Sequence, residues 1–192
     1  MEKAVFLDRD GIIIKDTGYI GEVARVELLP SVGEVIRLLY DNGFKVIVIT
    51  NQAGVARGYF TEEAVQEVNN FIKESLAQEI AIIDDFYYCP HHVEGVIEEY
   101  RKECYNRKPN PGMIEKAESD YNIDLKQSFI IGDKSSDVEA GYRAGCRTIL
   151  LTGQDYQGSI KNSDVIPDFT AHDLHEAARW LVEATIKGHS DG

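Results

Sequence analysis

The chain has 192 residues, of which 43% are hydrophobic and 28% are charged, proportions ordinary for a globular protein that buries a sizeable core. A formal net charge of −13 at pH 7 argues against nucleic acid or an anionic membrane surface as a partner. Three cysteines do not suggest a disulfide framework, and neither a leader peptide nor a membrane-length apolar run is evident. We therefore expect a cytoplasmic monomer.

Strand-like and helix-like patterns alternate along the chain. In order, they predict a strand over 4–8, a helix from Pro30-Ser31 to Asn42-Gly43, a strand over 45–50, a helix from Thr61 to about 78, a strand over 85–89, a helix over 112–121, a strand over 128–132, a helix over 135–145, a strand over 147–151 and a helix over about 172–187. This alternation predicts an α/β, three-layer, Rossmann-like fold with a mainly parallel sheet and helices on both faces.

One domain is expected over residues 1–187, followed by a flexible tail over 188–192. The irregular stretch over 89–110 is interpreted as a loop for metal binding or specificity. Neither this loop nor the one over 11–29 reaches the ~50 residues of a small domain, so no separate cap domain is expected and the site should be open.

The first predicted strand ends in Asp8-Arg9-Asp10-Gly11. Side chains alternate along a strand, so Asp8 and Asp10 leave it on the same side. Two carboxylates so close together repel each other unless a cation or a shared proton lies between them. A solvated acidic turn is the commoner reading of an isolated pair of this kind, so the rest of the chain must decide.

Further polar residues follow the other predicted strands. Thr50-Asn51-Gln52 follows the second strand, Asp133-Lys134 and Asp137 follow the fourth, and Arg107-Lys108 precedes it. Ligands of open parallel sheets bind beyond the carboxyl ends of the strands, so these side chains should converge. Taken singly, each has a plain structural reading, such as a helix cap or a surface charge; together they favour a phosphate site with Mg²⁺.

These strings resemble the four motifs of the haloacid dehalogenase (HAD) phosphatase superfamily. The resemblance rests on Asp8-x-Asp10-Gly11, Thr50-Asn51, Lys108 and Gly132-Asp133-x-x-x-Asp137. Over residues 4 to about 153, longer strings at 16–19, 50–58, 88–92 and 107–113 resemble the D-glycero-D-manno-heptose-1,7-bisphosphate 7-phosphatase family.

The resemblance implies an Mg²⁺-dependent phosphatase that removes the 7-phosphate of this phosphorylated sugar, a step in making heptose precursors for lipopolysaccharide and other cell-surface glycans. Asp8 is implied to be the nucleophile that forms an aspartyl-phosphate, Asp10 the general acid and base, and Thr50 and Lys108 the residues that stabilise the phosphoryl group. The residues implied to bind Mg²⁺ are Asp8, Asp10 and Asp133, and Asp137 is implied to support these ligands without binding the ion itself. The residues implied to contact substrate are Arg9, Asp16, Thr17, Gly18, Tyr19, Asn51, Gln52, Ala53, Arg57, Arg107 and Lys134.

Two positions depart from the family pattern. The family binds zinc in the irregular loop through four Cys and His ligands, and this chain has Cys89, His91 and Cys104 but Asn106 at the fourth position. Structural zinc sites take four ligands, so His92 or a water could complete the site, or the loop could be free of metal. The second departure is Ile12, where relatives usually carry threonine.

The residues are also compatible with two other functions. Histidinol-phosphate phosphatases share the aspartate pair and a similar loop, although His91-His92 and Gly18-Tyr19 favour the heptose reading. A phospho-accepting signalling domain also clusters aspartates, a threonine and a lysine on a parallel sheet, but Asp10 as a built-in acid and base would shorten the life of its phosphoenzyme.

Overall fold

In the computed structural model, residues 1–153 and 165–188 are described. A six-stranded, all-parallel sheet runs in the order β3-β2-β1-β4-β5-β6. The strands are β1 (Lys3–Leu7), β2 (Phe44–Asn51), β3 (Asp85–Cys89), β4 (Phe129–Gly132), β5 (Arg147–Leu151) and β6 (Phe169–Ala171). The parallel α/β sheet that the sequence predicts is therefore confirmed.

Helices connect the strands. They are α1 (Val32–Asp41), α2 (Ala53–Ala56), α3 (Glu62–Gln78), α4 (Gly112–Tyr121), α5 (Ser135–Ala144) and α6 (Leu174–Gly188), with short 3₁₀ turns at Val23–Arg25, Glu98–Tyr100 and Leu125–Gln127. Thr61 caps α3 as predicted, because its hydroxyl accepts a hydrogen bond from the Ala64 amide. Within the described ranges no helix is long and apolar enough to span a bilayer.

The central strands are buried on both faces, as expected for a parallel sheet covered by helices. Along β1, Val5 and Leu7 enter the core cluster that contains residues of α1, α3 and α6, whereas Ala4 and Phe6 enter the cluster that contains residues of α4 and α5. This division makes three layers, with the sheet in the middle, and leaves the carboxyl ends of β1, β2 and β4 side by side.

Some boundaries differ from the sequence prediction. The short helix α2 and the strand β6 were not predicted, and α6 begins at Leu174 rather than near residue 172. Three residues are too few for a periodic pattern, so β6 left no signal in the sequence. The predicted tail overlaps α6 at Gly188, and its remaining residues, 189–192, lie outside the described part of the chain.

Candidate active site

Three buried carboxylates meet where β1 and β4 end. Asp8 follows β1, Asp133 follows the neighbouring β4, and Asp137 lies in the first turn of α5. Each offers a carboxylate oxygen, and these three oxygens all lie within 4.8 Å of one another. All three residues are at most 5% exposed, so their charges need local compensation.

Two glycines allow this close approach. A Cβ at Gly11 would lie 2.5 Å from Asp133 Oδ2, and the φ of +95° at Gly11 disfavours any other residue. At Gly132, a Cβ would lie 2.3 Å from the Cβ of Asp137. The glycines of the two sequence motifs therefore leave the space that the carboxylates occupy.

Two lysines supply the compensating charge. Lys108 Nζ lies 3.0 Å from Asp8 Oδ1 and 2.6 Å from Asp137 Oδ1, and it also donates to the Ile49 carbonyl at 2.8 Å. Lys134 Nζ lies 3.7 Å from Asp133 Oδ1 and 4.0 Å from Asp8 Oδ2. Lys134 also pairs with a fourth carboxylate, that of Asp16, at 3.3 Å, so the carboxylates outnumber the ammonium groups and negative charge is left over.

The ionisation of these groups follows from this arrangement. Burial opposes the charge on Asp8, but Lys108 and Lys134 outweigh it and hold the pKa of that carboxyl below its ordinary value. Burial raises the pKa of Asp137, with repulsion from Asp8 adding to it and Lys108 opposing. The pKa of Lys108 is raised because Asp137 and Asp8 overcome the effect of its own burial.

Asp10 faces a different set of partners. Its Oδ1 accepts hydrogen bonds from Arg9 Nε at 3.2 Å and Nη2 at 2.9 Å, and its Oδ2 accepts from Gln52 Nε2 at 2.7 Å. The same Gln52 nitrogen donates to Thr50 Oγ1 at 2.8 Å. The side chain of Asp10 therefore stands beside the three-carboxylate cluster rather than in it, and only its backbone carbonyl is directed to Lys134, at 3.5 Å.

The structure corrects the prediction for Arg9. Its side chain was expected to contact substrate, but it is fully buried and is bound to Asp10 and to Asn69. Its guanidinium group therefore lies against the Asp10 carboxylate and does not line the neighbouring cleft. At Ile12, the side chain is fully buried in the larger core cluster, so it contributes to packing.

Most of the predicted substrate residues line one cleft of about 220 Å³ beside the carboxylates. The cleft is lined by Asp10, Asp16, Gly18, Tyr19, Ile20, Asn51, Gln52, Ala53 and Lys134. Of these, only Ile20 was absent from the sequence prediction. The predicted residues Arg9, Thr17, Arg57 and Arg107 do not line it.

The loop before the first 3₁₀ turn is held by an arginine that the sequence analysis missed. Arg25 donates to the Tyr19 carbonyl at 2.8 Å and to the Thr17 carbonyl and hydroxyl at 3.3 Å. Asp16 accepts from the Gly18 amide and pairs with Lys134 at 3.3 Å. The exposed ring of Tyr19 meets that of Tyr59 edge-on, with 4.8 Å between centroids. No motif marked Arg25 or Tyr59, since their contacts arise only on folding.

Asn51 fixes the segment that carries Lys108. Its Nδ2 donates to the Lys108 carbonyl at 2.9 Å, and its Oδ1 accepts from the Lys108 amide at 3.0 Å. Arg107 donates to the His91 carbonyl at 3.2 Å, and Arg57 pairs with Glu94 at 3.1 Å. Burial lowers the pKa of Arg107, and the nearby charge of Arg57 lowers it further.

A second group of potential metal ligands lies in the 89–110 loop. Donor atoms of Cys89, His91 and Cys104 lie within 4.8 Å of one another, with 3.8 Å between Cys89 Sγ and His91 Nδ1. Asn106 is exposed, and its Oδ1 lies 2.5 Å from where a Cβ on Gly112 would be. His92 Nδ1 accepts from the Glu94 amide at 3.1 Å. The structure thus groups three of the predicted ligands, and His92 is not a member of that group.

Comparisons with known proteins agree with this geometry. A family model described as HAD-hyrolase-like matches residues 105–177. The chain is 43% identical over 164 residues, 85% of its length and 90% of the other protein, to "D-glycero-alpha-D-manno-heptose-1,7-bisphosphate 7-phosphatase" of Photorhabdus laumondii. It is 40% identical over 187 residues, 94% of both chains, to "D-glycero-D-manno-heptose-1,7-bisphosphate 7-phosphatase" of Chlorobaculum tepidum.

A solved structure is also similar. The D,D-heptose 1,7-bisphosphate phosphatase of B. bronchiseptica, complexed with magnesium and phosphate, has a TM-score of 0.82 and 28% identity, and the match covers 95% of this chain and 99% of that one. These relatives, together with the clustered aspartates and the buried lysine at the carboxyl edge of the sheet, identify an enzyme of the HAD-type phosphatase class. Within that class, the chain belongs to the heptose-1,7-bisphosphate 7-phosphatase family.

Proposed function

We propose that this protein hydrolyses the 7-phosphate of D-glycero-D-manno-heptose 1,7-bisphosphate, with Asp8 as nucleophile and Mg²⁺ as cofactor. The observation that carries the proposal is the buried cluster of Asp8, Asp133 and Asp137 against Lys108. A purely structural sheet edge has no need of three buried carboxylates. The choice of substrate follows from the names of the relatives given above.

The donor set fits Mg²⁺. This ion prefers hard oxygen ligands, usually one or two carboxylates with water and substrate phosphate completing an octahedron. Asp8 and Asp133, with the backbone carbonyl of Asp10, would hold it, and the leftover negative charge of the cluster favours a cation. Both oxygens of Asp137 are engaged, by Lys108 Nζ at 2.6 Å and by the Lys134 amide at 3.1 Å, which suits a supporting role. When bound, the ion would offset the repulsion between carboxylate and phosphate.

The chain's own residues divide the remaining work. An oxygen of Asp8 forms a bond to phosphorus while the bond to the sugar oxygen breaks, and the Asp10 carboxyl gives its proton to that leaving oxygen. Asp10 then takes a proton from the water that attacks the aspartyl-phosphate, which restores free Asp8. Thr50 and Lys108 stabilise the negative charge of the phosphoryl group in transfer.

The cleft and the arginines beside it would select the substrate. The sugar occupies the cleft between Asp16, Tyr19 and Gln52, and the guanidinium groups of Arg107 and Arg57 suit its second phosphate. Their mutual repulsion is relieved when an anion binds them.

We further propose that Cys89, His91 and Cys104 hold a zinc ion that orders the 89–110 loop, with a water as the fourth ligand. The protein acts as a cytoplasmic monomer.

Phosphate release from a panel of phosphorylated substrates with Mg²⁺ tests the proposal. The panel contains both anomers of the heptose bisphosphate, the heptose 7-phosphate and histidinol phosphate. We expect the highest kcat/KM for a heptose bisphosphate, no turnover in Asp8→Asn, and full activity in the control Asp41→Asn, which changes an exposed carboxylate at the end of α1.

The variant Arg107→Ala tests whether Arg107 binds the second phosphate of the substrate. We expect it to lower kcat/KM for the bisphosphate more than for the 7-phosphate, because only the former presents a second phosphate. A preference for histidinol phosphate would overturn the substrate assignment. A phospho-Asp8 that persists for many minutes without turnover would identify a signalling domain instead.

A further inference from the structure

A buried polar chain connects helix α3 to Asp10. Arg9 is fully buried, and its Nη1 donates to Asn69 Oδ1 at 3.1 Å. Asn69 lies on α3, 60 positions further along the chain, and it is only 5% exposed. The other side of the same guanidinium group binds Asp10, so α3 reaches the candidate acid through two side chains.

The geometry of the pair makes the orientation of Arg9 decisive for Asp10. Arg9 Nη2 lies 2.9 Å from Oδ1 and 3.0 Å from Oδ2 of Asp10, and Nε lies 3.2 Å from Oδ1. A planar guanidinium that holds a carboxylate in this way fixes its plane as well as its position. The arginine stem alone cannot set that plane, because it has several rotatable bonds. The hydrogen bond to Asn69 fixes Nη1, the guanidinium nitrogen that does not bind Asp10.

We propose that Asn69 is a positioning residue for the proton transfer, acting through Arg9 on Asp10. The inference rests on the proposed function, in which Asp10 is the general acid. Asn69 itself does not touch the cleft. Its amide oxygen holds the guanidinium so that the Asp10 carboxyl can reach the leaving oxygen, and Gln52 holds that carboxyl from the other side.

This role predicts a dependence on the leaving group. A sugar alkoxide departs only if it gains a proton as its bond to phosphorus breaks, whereas 2,4-dinitrophenolate is stable as an anion and needs little proton transfer. A misplaced Asp10 should therefore slow the cleavage of a sugar phosphate and largely spare 2,4-dinitrophenyl phosphate. The quantity to measure is kcat/KM, which reports the steps up to departure of the leaving group.

The test compares Asn69→Leu, which removes the acceptor at similar size, with Asn69→Asp, which keeps an acceptor oxygen. For Asn69→Leu we expect kcat/KM to fall roughly 10-fold to 100-fold on the sugar phosphate, since small misplacements of a catalytic group cost up to that much. On 2,4-dinitrophenyl phosphate we expect a loss of less than about threefold. Asn69→Asp should recover most of the activity on the sugar phosphate.

Val68→Ala is the matched control, because it removes buried methyl groups from the core next to Asn69 on the same helix. It should lower the melting temperature without changing the ratio of the two substrates. Equal losses on both substrates in Asn69→Leu, in proportion to lost thermal stability, would overturn the positioning role.

A double-mutant cycle with Asp10→Asn separates this inference from the proposed function. If Asn69 acts through Asp10, Asn69→Leu adds almost nothing to the defect of Asp10→Asn on the sugar phosphate; multiplied losses contradict the inference. If Asp10→Asn alone slows both substrates equally, the acid assignment itself fails. If only Asp10→Asn discriminates between the substrates, the proposed function stands and the role of Asn69 falls.

Discussion

Lys108 is the residue on which the charge balance of the site depends most. Its side chain is 2% exposed, and the carboxylates that it contacts, Asp8 and Asp137, are 6% and 1% exposed. All three N–H groups of its ammonium have an acceptor: the two carboxylates and the Ile49 carbonyl. In Lys108→Met the hydrocarbon stem is kept, the charge is lost, and two buried carboxylates face each other with only the more distant Lys134 near them, 4.0 Å from Asp8.

Removing one partner from a buried ion pair costs about 3–5 kcal/mol, and we expect a loss of that size in the free energy of unfolding at pH 7. Urea unfolding in the presence of EDTA measures it. The matched control is Lys116→Met, which breaks an ion pair to Asp120 whose side chains are 58% and 42% exposed. Solvent screens such an exposed pair, so its loss should change the free energy of unfolding far less.

The penalty should depend on pH with a definite sign. In the parent, the pKa of Asp8 is held below its ordinary value of 3.8, so its stabilising contribution is present above that value and is lost as the pH falls. In Lys108→Met only Lys134 remains near Asp8, so burial raises the pKa of Asp8 and raises that of Asp137 further. Ionisation of the two carboxyls then destabilises the fold. The difference between variant and parent should therefore grow from about pH 4 to neutral pH. A loss no larger than that of Lys116→Met, or one independent of pH, would refute this account of Lys108.

Three further predictions test other parts of the structure. Gly141→Ala places a Cβ 2.1 Å from Ile130 Cγ2 and should destabilise the fold by about 1–3 kcal/mol in urea unfolding. Gly33→Ala on α1 meets the ends of the flexible Glu79 and Arg37 side chains and should stabilise the fold by up to about 1 kcal/mol. The opposite order would contradict the packing of α5 on the sheet. Arg25→Ala releases the 16–20 loop and should raise KM for the sugar phosphate with little change in kcat; an unchanged KM in steady-state kinetics would show that the loop needs no such support. Protein purified without chelators should contain about one zinc per chain by elemental analysis. Cys104→Ser should lose this zinc, whereas Cys146→Ser, which changes a buried cysteine outside the cluster, should keep it. Absence of zinc from the parent protein would refute the three-ligand proposal.

Strand ends were the best guide from sequence to site. Asp8, Thr50 and Asp133 each follow or end a continuously apolar run, so a parallel sheet with those strands adjacent brings them together whatever the helices do. The glycines beside the aspartates in these motifs also indicated close packing, because Gly11 and Gly132 are needed where carboxylates pack against the backbone. This part of the site depends on local pattern and a general rule of sheet topology.

The parts that could not be predicted depend on tertiary contacts between distant segments. Asn69 reads as an ordinary polar position on α3, and only its contact with Arg9 in the folded chain gives it significance. Arg9 was predicted to contact substrate, but in the folded chain its buried guanidinium group binds Asp10 and Asn69 instead. Residues next to a motif in sequence need not share its surroundings.

The attachment of Lys108 also constrains how the 89–110 loop can change in length. Asn51 grips the Lys108 backbone with two hydrogen bonds, and Cys104 lies only four positions earlier, within reach of Cys89. An insertion between Cys104 and Lys108 would shift the ammonium out of register with Asp8. The segment from Val93 to Glu99 is attached elsewhere, because the Val96 and Ile97 amides donate to the Ala56 carbonyl at 2.7 Å and 3.0 Å. A change in its length would therefore disturb its contact with α2 and leave the position of Lys108 unchanged.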